Sequence, residues 1–119
     1  AIFAGGVLAY SNAMKQKLLG VKKSTLAEHG SVSKPVAIEM AEGALTMSGA
    51  DHALSVTGIA GPDGGTADKP VGTAWLGLAS KGSRPLAIRK FHPYDRETFK
   101  HATVHQALEM LRRRLQKTG

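Results

Sequence analysis

Residues 53–79, ALSVTGIAGPDGGTADKPVGTAWLGLA, hold two candidate strands on either side of a glycine-rich loop. The strands are Ala53–Ile59 and Thr73–Ala79, which are short runs rich in apolar residues and bounded by turn-forming residues. The loop, from Gly58 to Gly72, contains five Gly and two Pro, which favour neither helix nor strand. This stretch therefore predicts a sheet with a long loop at one edge.

Two further strands are predicted on either side of that stretch. Leu86–Phe91 follows Thr73–Ala79 after the four residues Lys81–Arg84, a spacing typical of a β-hairpin. Gly5–Ser11 is a short apolar run that suits a buried strand.

Candidate helices are marked by residues that favour helix starts and ends. The first is Asn12–Leu19, followed by Gly20, and the second is a short helix opened by Ser24 or Thr25, with Glu28 at capping-box spacing, and ended by Gly30. The third runs from Ser33 towards Gly49 with Pro35 in its first turn. The last helix is capped by Asp95. The last helix carries one apolar stripe, formed by Val104, Ala107, Leu108, Leu111 and Leu115. Interspersed strands and helices predict an α/β fold, a three-layer α/β/α sandwich with a mixed sheet.

The composition is that of one soluble domain. The chain has 119 residues, of which 42% are hydrophobic and 21% charged, enough for one core. It has no Cys, and no apolar run approaches the ~20 residues that span a bilayer. We expect a cytoplasmic protein without a membrane contact. Because the chain opens with Ala1 and an apolar run, we also expect it to lack a preceding segment.

The net charge of +7 raises the possibility of nucleic-acid binding. The densest basic run, Arg112–Arg114 with Lys117, lies at the end of the last predicted helix, where cations stabilise the helix dipole. No aromatic residues alternate with it as a stacking surface would need. We expect no nucleic-acid partner and keep this function as a rival.

The glycine-rich loop can be interpreted in two ways. Its backbone amides and the hydroxyls of Thr57, Thr66 and Thr73 could hold a phosphate or an oxyanion. Its spacing matches neither the P-loop nor the dinucleotide-binding fingerprint, and a long surface loop would have the same composition.

Two other groups of residues could carry chemistry. If the first strand ends near Ser11, Lys15 lies in the first turn of the next helix and could relay a proton with the Tyr10 phenol or activate a serine. On spacing alone, a solvated Lys and a packed Tyr are the more ordinary explanation. His101 and His105 share a helix face without a matching carboxylate, so we expect surface histidines and no metal.

Several motifs together resemble the C-terminal domain family of CinA, the competence/damage-inducible protein, along the whole chain. They are Tyr10–Asn12 with Lys15, Leu19–Val21, His29–Ser33, Met40–Gly43, Thr57–Gly65, Lys69–Thr73 and Asp95–Arg96. The resemblance implies a single domain over residues 1–119 that lacks its N-terminal segment.

The resemblance also implies an activity, the deamidation of nicotinamide mononucleotide to nicotinate mononucleotide and ammonia, without a cofactor. It implies a homo-oligomer and a serine nucleophile that would precede Ala1. The implied catalytic residues are Tyr10 and Lys15, and the implied substrate-binding residues are Thr57, Gly58, Gly61 and Arg96, with loop amides near Gly58 for the oxyanion and Arg96 for the phosphate. Tyr94 departs from the family, which usually has a small residue there. The alternative is a non-catalytic nucleotide-binding or interaction domain.

Overall fold

The computed structural model describes residues 20–59, 69–92 and 95–118, with the backbone alone for Arg96, Lys117 and Thr118. Within these ranges the elements are, in chain order, α1 Lys23–His29, α2 Lys34–Ser48, β1 His52–Gly58, β2 Thr73–Ser80, β3 Leu86–Phe91 and α3 Arg96–Thr118. The three predicted strands among these residues are confirmed to within one residue at either end. The predicted strand Gly5–Ser11 and the predicted helix Asn12–Leu19 lie outside the described residues.

The sheet has the order β1-β2-β3, and both pairs of neighbours are antiparallel. The expectation of a mixed sheet is therefore wrong for the described strands. The physical reason is that strands consecutive in the sequence are also neighbours in the sheet, and the short turn between β2 and β3 allows antiparallel pairing alone.

Helix α2 packs on the face of the sheet that carries the odd-numbered residues of β1. The Ser55 hydroxyl donates to the main-chain carbonyl of Ala37 in α2 at 2.6 Å, and both residues are buried. The helix begins as predicted, since the Ser33 hydroxyl accepts the Val36 N–H at 3.4 Å. It ends at Gly49, whose φ of 68° is left-handed.

Helix α3 packs on the other face of the sheet. Buried Phe99 forms a cluster with Ala74 and Leu76 of β2, and Val56 of β1 packs against it. Because alternate residues of a strand point to opposite faces, α2 and α3 lie on opposite sides of the described sheet. The complete three-layer sandwich stays a prediction, since residues 1–19 lie outside the described ranges.

The apolar stripe predicted for α3 packs on the sheet only in part. Its residue Ala107 is 3% exposed, but Val104 and Leu108 are 53% and 54% exposed, whereas Phe99 and Thr103, which lie outside the stripe, are at most 5% exposed. The buried Thr103 hydroxyl donates to the Phe99 carbonyl at 3.0 Å, so this polar side chain is compatible with the core. The packing of Phe99 against the sheet, rather than apolar content, sets the rotation of the helix.

The start of α1 also differs from the prediction. The helix begins at Lys23, and its N-cap residue Lys22 makes no side-chain cap. A carboxylate from α2 does this instead: Glu39 accepts the Lys22 N–H at 2.8 Å and the Thr25 hydroxyl at 2.6 Å. The expected capping box between Thr25 and Glu28 therefore does not stabilise this end.

Candidate functional site

The end of β1 carries two of the predicted substrate-binding residues, Thr57 and Gly58. The Thr57 side chain is 4% exposed, and its hydroxyl donates to the main-chain carbonyl of Ser31 at 2.7 Å. The hydroxyl proton of Thr57 is therefore donated to the main chain, and this hydrogen bond joins the end of β1 to the segment between α1 and α2.

Gly58 brings the start of α3 against the end of β1. A Cβ on this residue would lie 2.6 Å from Cζ of Phe99 and 3.1 Å from the Thr73 carbonyl oxygen. Only a residue without a side chain permits this approach. Phe99 lies one helical turn after Arg96, so this contact places the early part of α3 at the end of β1.

The base of the glycine-rich loop is fixed by main-chain hydrogen bonds. The Ile59 N–H donates to the Thr73 carbonyl at 2.9 Å, and the Gly72 N–H donates to the Ile59 carbonyl at 2.7 Å. On the far side, the Thr73 N–H and hydroxyl both donate to the Pro70 carbonyl, at 3.0 and 2.6 Å. The two ends of the loop are therefore held side by side at the end of the sheet.

The segment between α1 and α2, which we call the 30–33 connection, is held against this strand end by side chains. Three successive carbonyls accept hydrogen bonds: His29 from Lys69 Nζ at 2.6 Å, Gly30 from the Ser33 hydroxyl at 2.9 Å, and Ser31 from Thr57. Of the three donors, Thr57 directly precedes the glycine-rich loop in the sequence and Lys69 lies near the end of that loop.

The start of α3 carries an ionised carboxylate. Asp95 accepts the Thr98 N–H and the Thr98 hydroxyl, each at 3.0 Å, as the predicted cap requires. The Thr98 N–H is the main cause that lowers the pKa of Asp95 below its ordinary value. Because this carboxylate already satisfies the helix start, an anion near it would need a cationic side chain as its partner.

The structure thus places Thr57 and Gly58 at the end of β1 and the backbone of Arg96 in the first turn of α3, the helix whose Phe99 packs on Gly58. Tyr10, Lys15 and Gly61 lie outside the described residues. The sequence analysis gave no role to Lys69 or to the 30–33 connection, although both fall within motifs that carry the family resemblance. Their relation is a contact between residues 40 apart, which spacing alone does not reveal.

Features that other functions would need are weak in the part of the chain that the structure describes. No group of three His, Cys, Asp or Glu side chains there could hold a metal ion, and none of its helices combines the length and apolarity of a membrane span. In the basic run, Arg112 binds Glu109 at 2.9 and 3.0 Å, and Arg114 donates to the Ser80 hydroxyl at 3.2 Å. These two arginine side chains therefore form hydrogen bonds with other residues of the domain.

Comparison with known proteins gives a consistent result. The CinA C-terminal domain family matches residues 1–115. A CinA-like protein of Leptospira interrogans is 44% identical over 115 residues, which are 97% of this chain and 28% of that protein. A protein of Enterobacter agglomerans named nicotinamide-nucleotide amidohydrolase PncC is 55% identical over 97 residues, 82% of this chain and 59% of that protein.

A solved structure shows the same fold. The crystal structure of competence/damage inducible protein CihA from Agrobacterium tumefaciens superposes with a TM-score of 0.83 at 43% identity. The superposition covers 87% of this chain and 63% of that one. The chain therefore spans less than two thirds of each of these relatives.

Proposed function

Because the chain belongs to the CinA C-terminal domain family, we propose that it takes part in hydrolysing the carboxamide of nicotinamide mononucleotide to nicotinate mononucleotide and ammonia. The observation that carries the proposal is the 55% identity to a protein named nicotinamide-nucleotide amidohydrolase. The convergence of Thr57, Gly58 and the start of α3 at one edge of the sheet supports a site there.

The proposed reaction passes through an acyl intermediate. A serine hydroxyl from the segment expected to precede Ala1 attacks the carboxamide carbon, while Lys15 and Tyr10 accept its proton and deliver a proton to the departing ammonia. Water then attacks the ester carbon, and the serine leaves with a proton, which frees nicotinate mononucleotide and restores the serine hydroxyl. Backbone amides near Gly58 stabilise the oxyanion, an effect worth roughly 3 kcal/mol per donor in comparable sites.

The proposed substrate contacts are those that the family resemblance implies. Arg96, at the first turn of α3, binds the phosphate, since a guanidinium forms paired hydrogen bonds with phosphate oxygens. Thr57 acts from beneath the site, because its buried hydroxyl is donated to Ser31. Gly58 contributes by keeping α3, and hence Arg96, close to the strand end.

Ammonia release from nicotinamide mononucleotide tests the proposal. We would compare the 119-residue chain, a version extended at its N-terminus, and the extended version with Lys15→Ala. We expect activity in the extended version and its loss on removing Lys15. Full activity with Lys15→Ala would refute the role of that residue, and activity in none of them would refute the amidase.

The alternative is a non-catalytic nucleotide-binding or interaction domain, and the 28% coverage of the Leptospira protein leaves room for a partner domain in such relatives. It predicts that the extended version binds nicotinamide mononucleotide, measured by calorimetry, and releases no ammonia. We also propose that the chain forms one domain with a three-layer α/β/α architecture and assembles as a homo-oligomer, which sedimentation would test.

A further inference from the structure

The end of α1 is held by a lysine near the end of the glycine-rich loop. Lys69 Nζ donates to the His29 carbonyl at 2.6 Å, and the two residues are 40 apart in the sequence. The His29 carbonyl lies in the last turn of α1, where the helix dipole is negative and a cation is stabilising. This bond therefore combines a short charge-assisted contact with a favourable dipole.

The space for the lysine is created by the next residue. Gly30 has a φ of 80°, a conformation that side-chain-bearing residues rarely adopt. A Cβ on Gly30 would lie 3.3 Å from Lys69 Nζ, so a side chain there would crowd the ammonium. The left-handed turn and the ammonium thus fit together at this end of the helix.

The lysine completes the support of the 30–33 connection. Ser33 holds the Gly30 carbonyl and Thr57 holds the Ser31 carbonyl, but Ser33 belongs to the connection itself. The two donors from outside the connection are Thr57, just before the glycine-rich loop, and Lys69, near the end of that loop. Together they fix the connection to the strand end on which Gly58 lies.

We propose that Lys69 is a positioning residue of the nucleotide site: through the His29 carbonyl it sets the position of the 30–33 connection against the end of β1. This inference rests on the proposed deamidation for its catalytic consequence. Lys69 acts through the backbone of α1, so its loss changes the placement of the site rather than the chemistry of a reacting group. A misplacement of about 1 Å can lower turnover roughly 100-fold.

The test compares Lys69→Met, Lys69→Arg and a matched control, Lys81→Met, in the N-terminally extended protein. Lys81 is suitable because its Nζ also donates to a carbonyl beyond a helix end, that of Gly49, at 3.4 Å, and it lies at the opposite end of β2. Two measurements are made: hydrogen exchange of the amides of residues 31–33, and kcat and KM for ammonia release.

We expect Lys69→Met to speed the exchange of residues 31–33 at least about 10-fold and to lower kcat about 10- to 100-fold with a smaller change in KM. Lys69→Arg should restore most of both, since a guanidinium can also donate to the carbonyl. Lys81→Met should leave both unchanged.

Two results would overturn the inference. Unchanged exchange in Lys69→Met would show that the lysine does not hold the connection, and faster exchange with unchanged kcat would show that the connection does not position the site. If the unsubstituted protein releases no ammonia, the proposed deamidation fails instead. The dissociation constant of nicotinamide mononucleotide then replaces kcat, and an unchanged constant overturns the positioning role.

Discussion

Gly58→Ala provides the sharpest test of how the site is assembled. The added Cβ would lie 2.6 Å from Cζ of Phe99 and 3.1 Å from the Thr73 carbonyl oxygen, so either the ring or the strand must move. The ring is 5% exposed and packs against Ala74 and Leu76, which leaves it little room. Overpacking of this kind costs about 1–3 kcal/mol, partly offset by roughly 0.4–1 kcal/mol from the less flexible unfolded chain.

The net loss expected for Gly58→Ala is therefore about 1–2 kcal/mol in the free energy of unfolding. With a urea m value near 2 kcal/mol/M, the midpoint of unfolding should fall by roughly 0.5–1 M. Urea titrations followed by circular dichroism would measure this for Gly58→Ala, Phe99→Leu and the double variant. Because Leu lacks the ring atom that the new methyl meets, the double variant should be more stable than the sum of the single losses predicts.

The coupling between the two substitutions should amount to about 0.5–3 kcal/mol. Strictly additive losses would refute the contact between Gly58 and Phe99 as the cause. An unchanged midpoint in Gly58→Ala would refute the close approach of α3 to β1 altogether.

Three other substitutions test single contacts. Asp95→Ala should lower the urea midpoint at neutral pH. Because the pKa of Asp95 is depressed in the folded protein, its stabilisation is present above the unfolded pKa and is lost as the pH falls through the folded pKa. The difference in midpoint should therefore vanish in strong acid, and a difference that stays constant with pH would contradict the cap. Glu39→Ala should lower the free energy of unfolding by about 1–3 kcal/mol and speed amide exchange at the start of α1, whereas Glu39→Gln should lower it less. Equal exchange in the unsubstituted protein and both variants would show that Glu39 does not cap α1. Thr57→Val should lower the free energy of unfolding by about 1–2 kcal/mol, measured by chemical denaturation, because it leaves the Ser31 carbonyl without its donor. Thr57→Ser should keep most of the stability. Equal losses in both variants would contradict the role of the hydroxyl.

The sequence by itself determined the local features. The three described strands, the N-caps at Ser33 and Asp95, and the hairpin between β2 and β3 were predicted correctly, because each depends on residues close together along the chain. The cap bonds span only three residues. The family was identified from short motifs for a similar reason, since each is read without knowledge of the fold.

Only the tertiary structure decided how these elements meet. Two adjacent faces of α3 were suitable for burial, and the packing of Phe99 on Gly58 selected the one that leaves Val104 and Leu108 exposed. The antiparallel pairing of β1 with β2 was not foreseen, because the patterns within these two strands do not fix the direction of their pairing. These choices are made by contacts between distant segments, and no periodicity within a segment encodes them.

The candidate site divides in the same way. The sequence named Thr57 and Gly58 as substrate-binding residues, which stays a prediction. Only the structure showed that the Thr57 hydroxyl supports Ser31, 26 residues away, and that Gly58 makes room for Phe99. It gave no role to Lys69, whose partner is 40 residues away. A hydroxyl, a glycine or an ammonium has several uses that look alike in a sequence, and the one it serves is set by which backbone group the fold brings within reach.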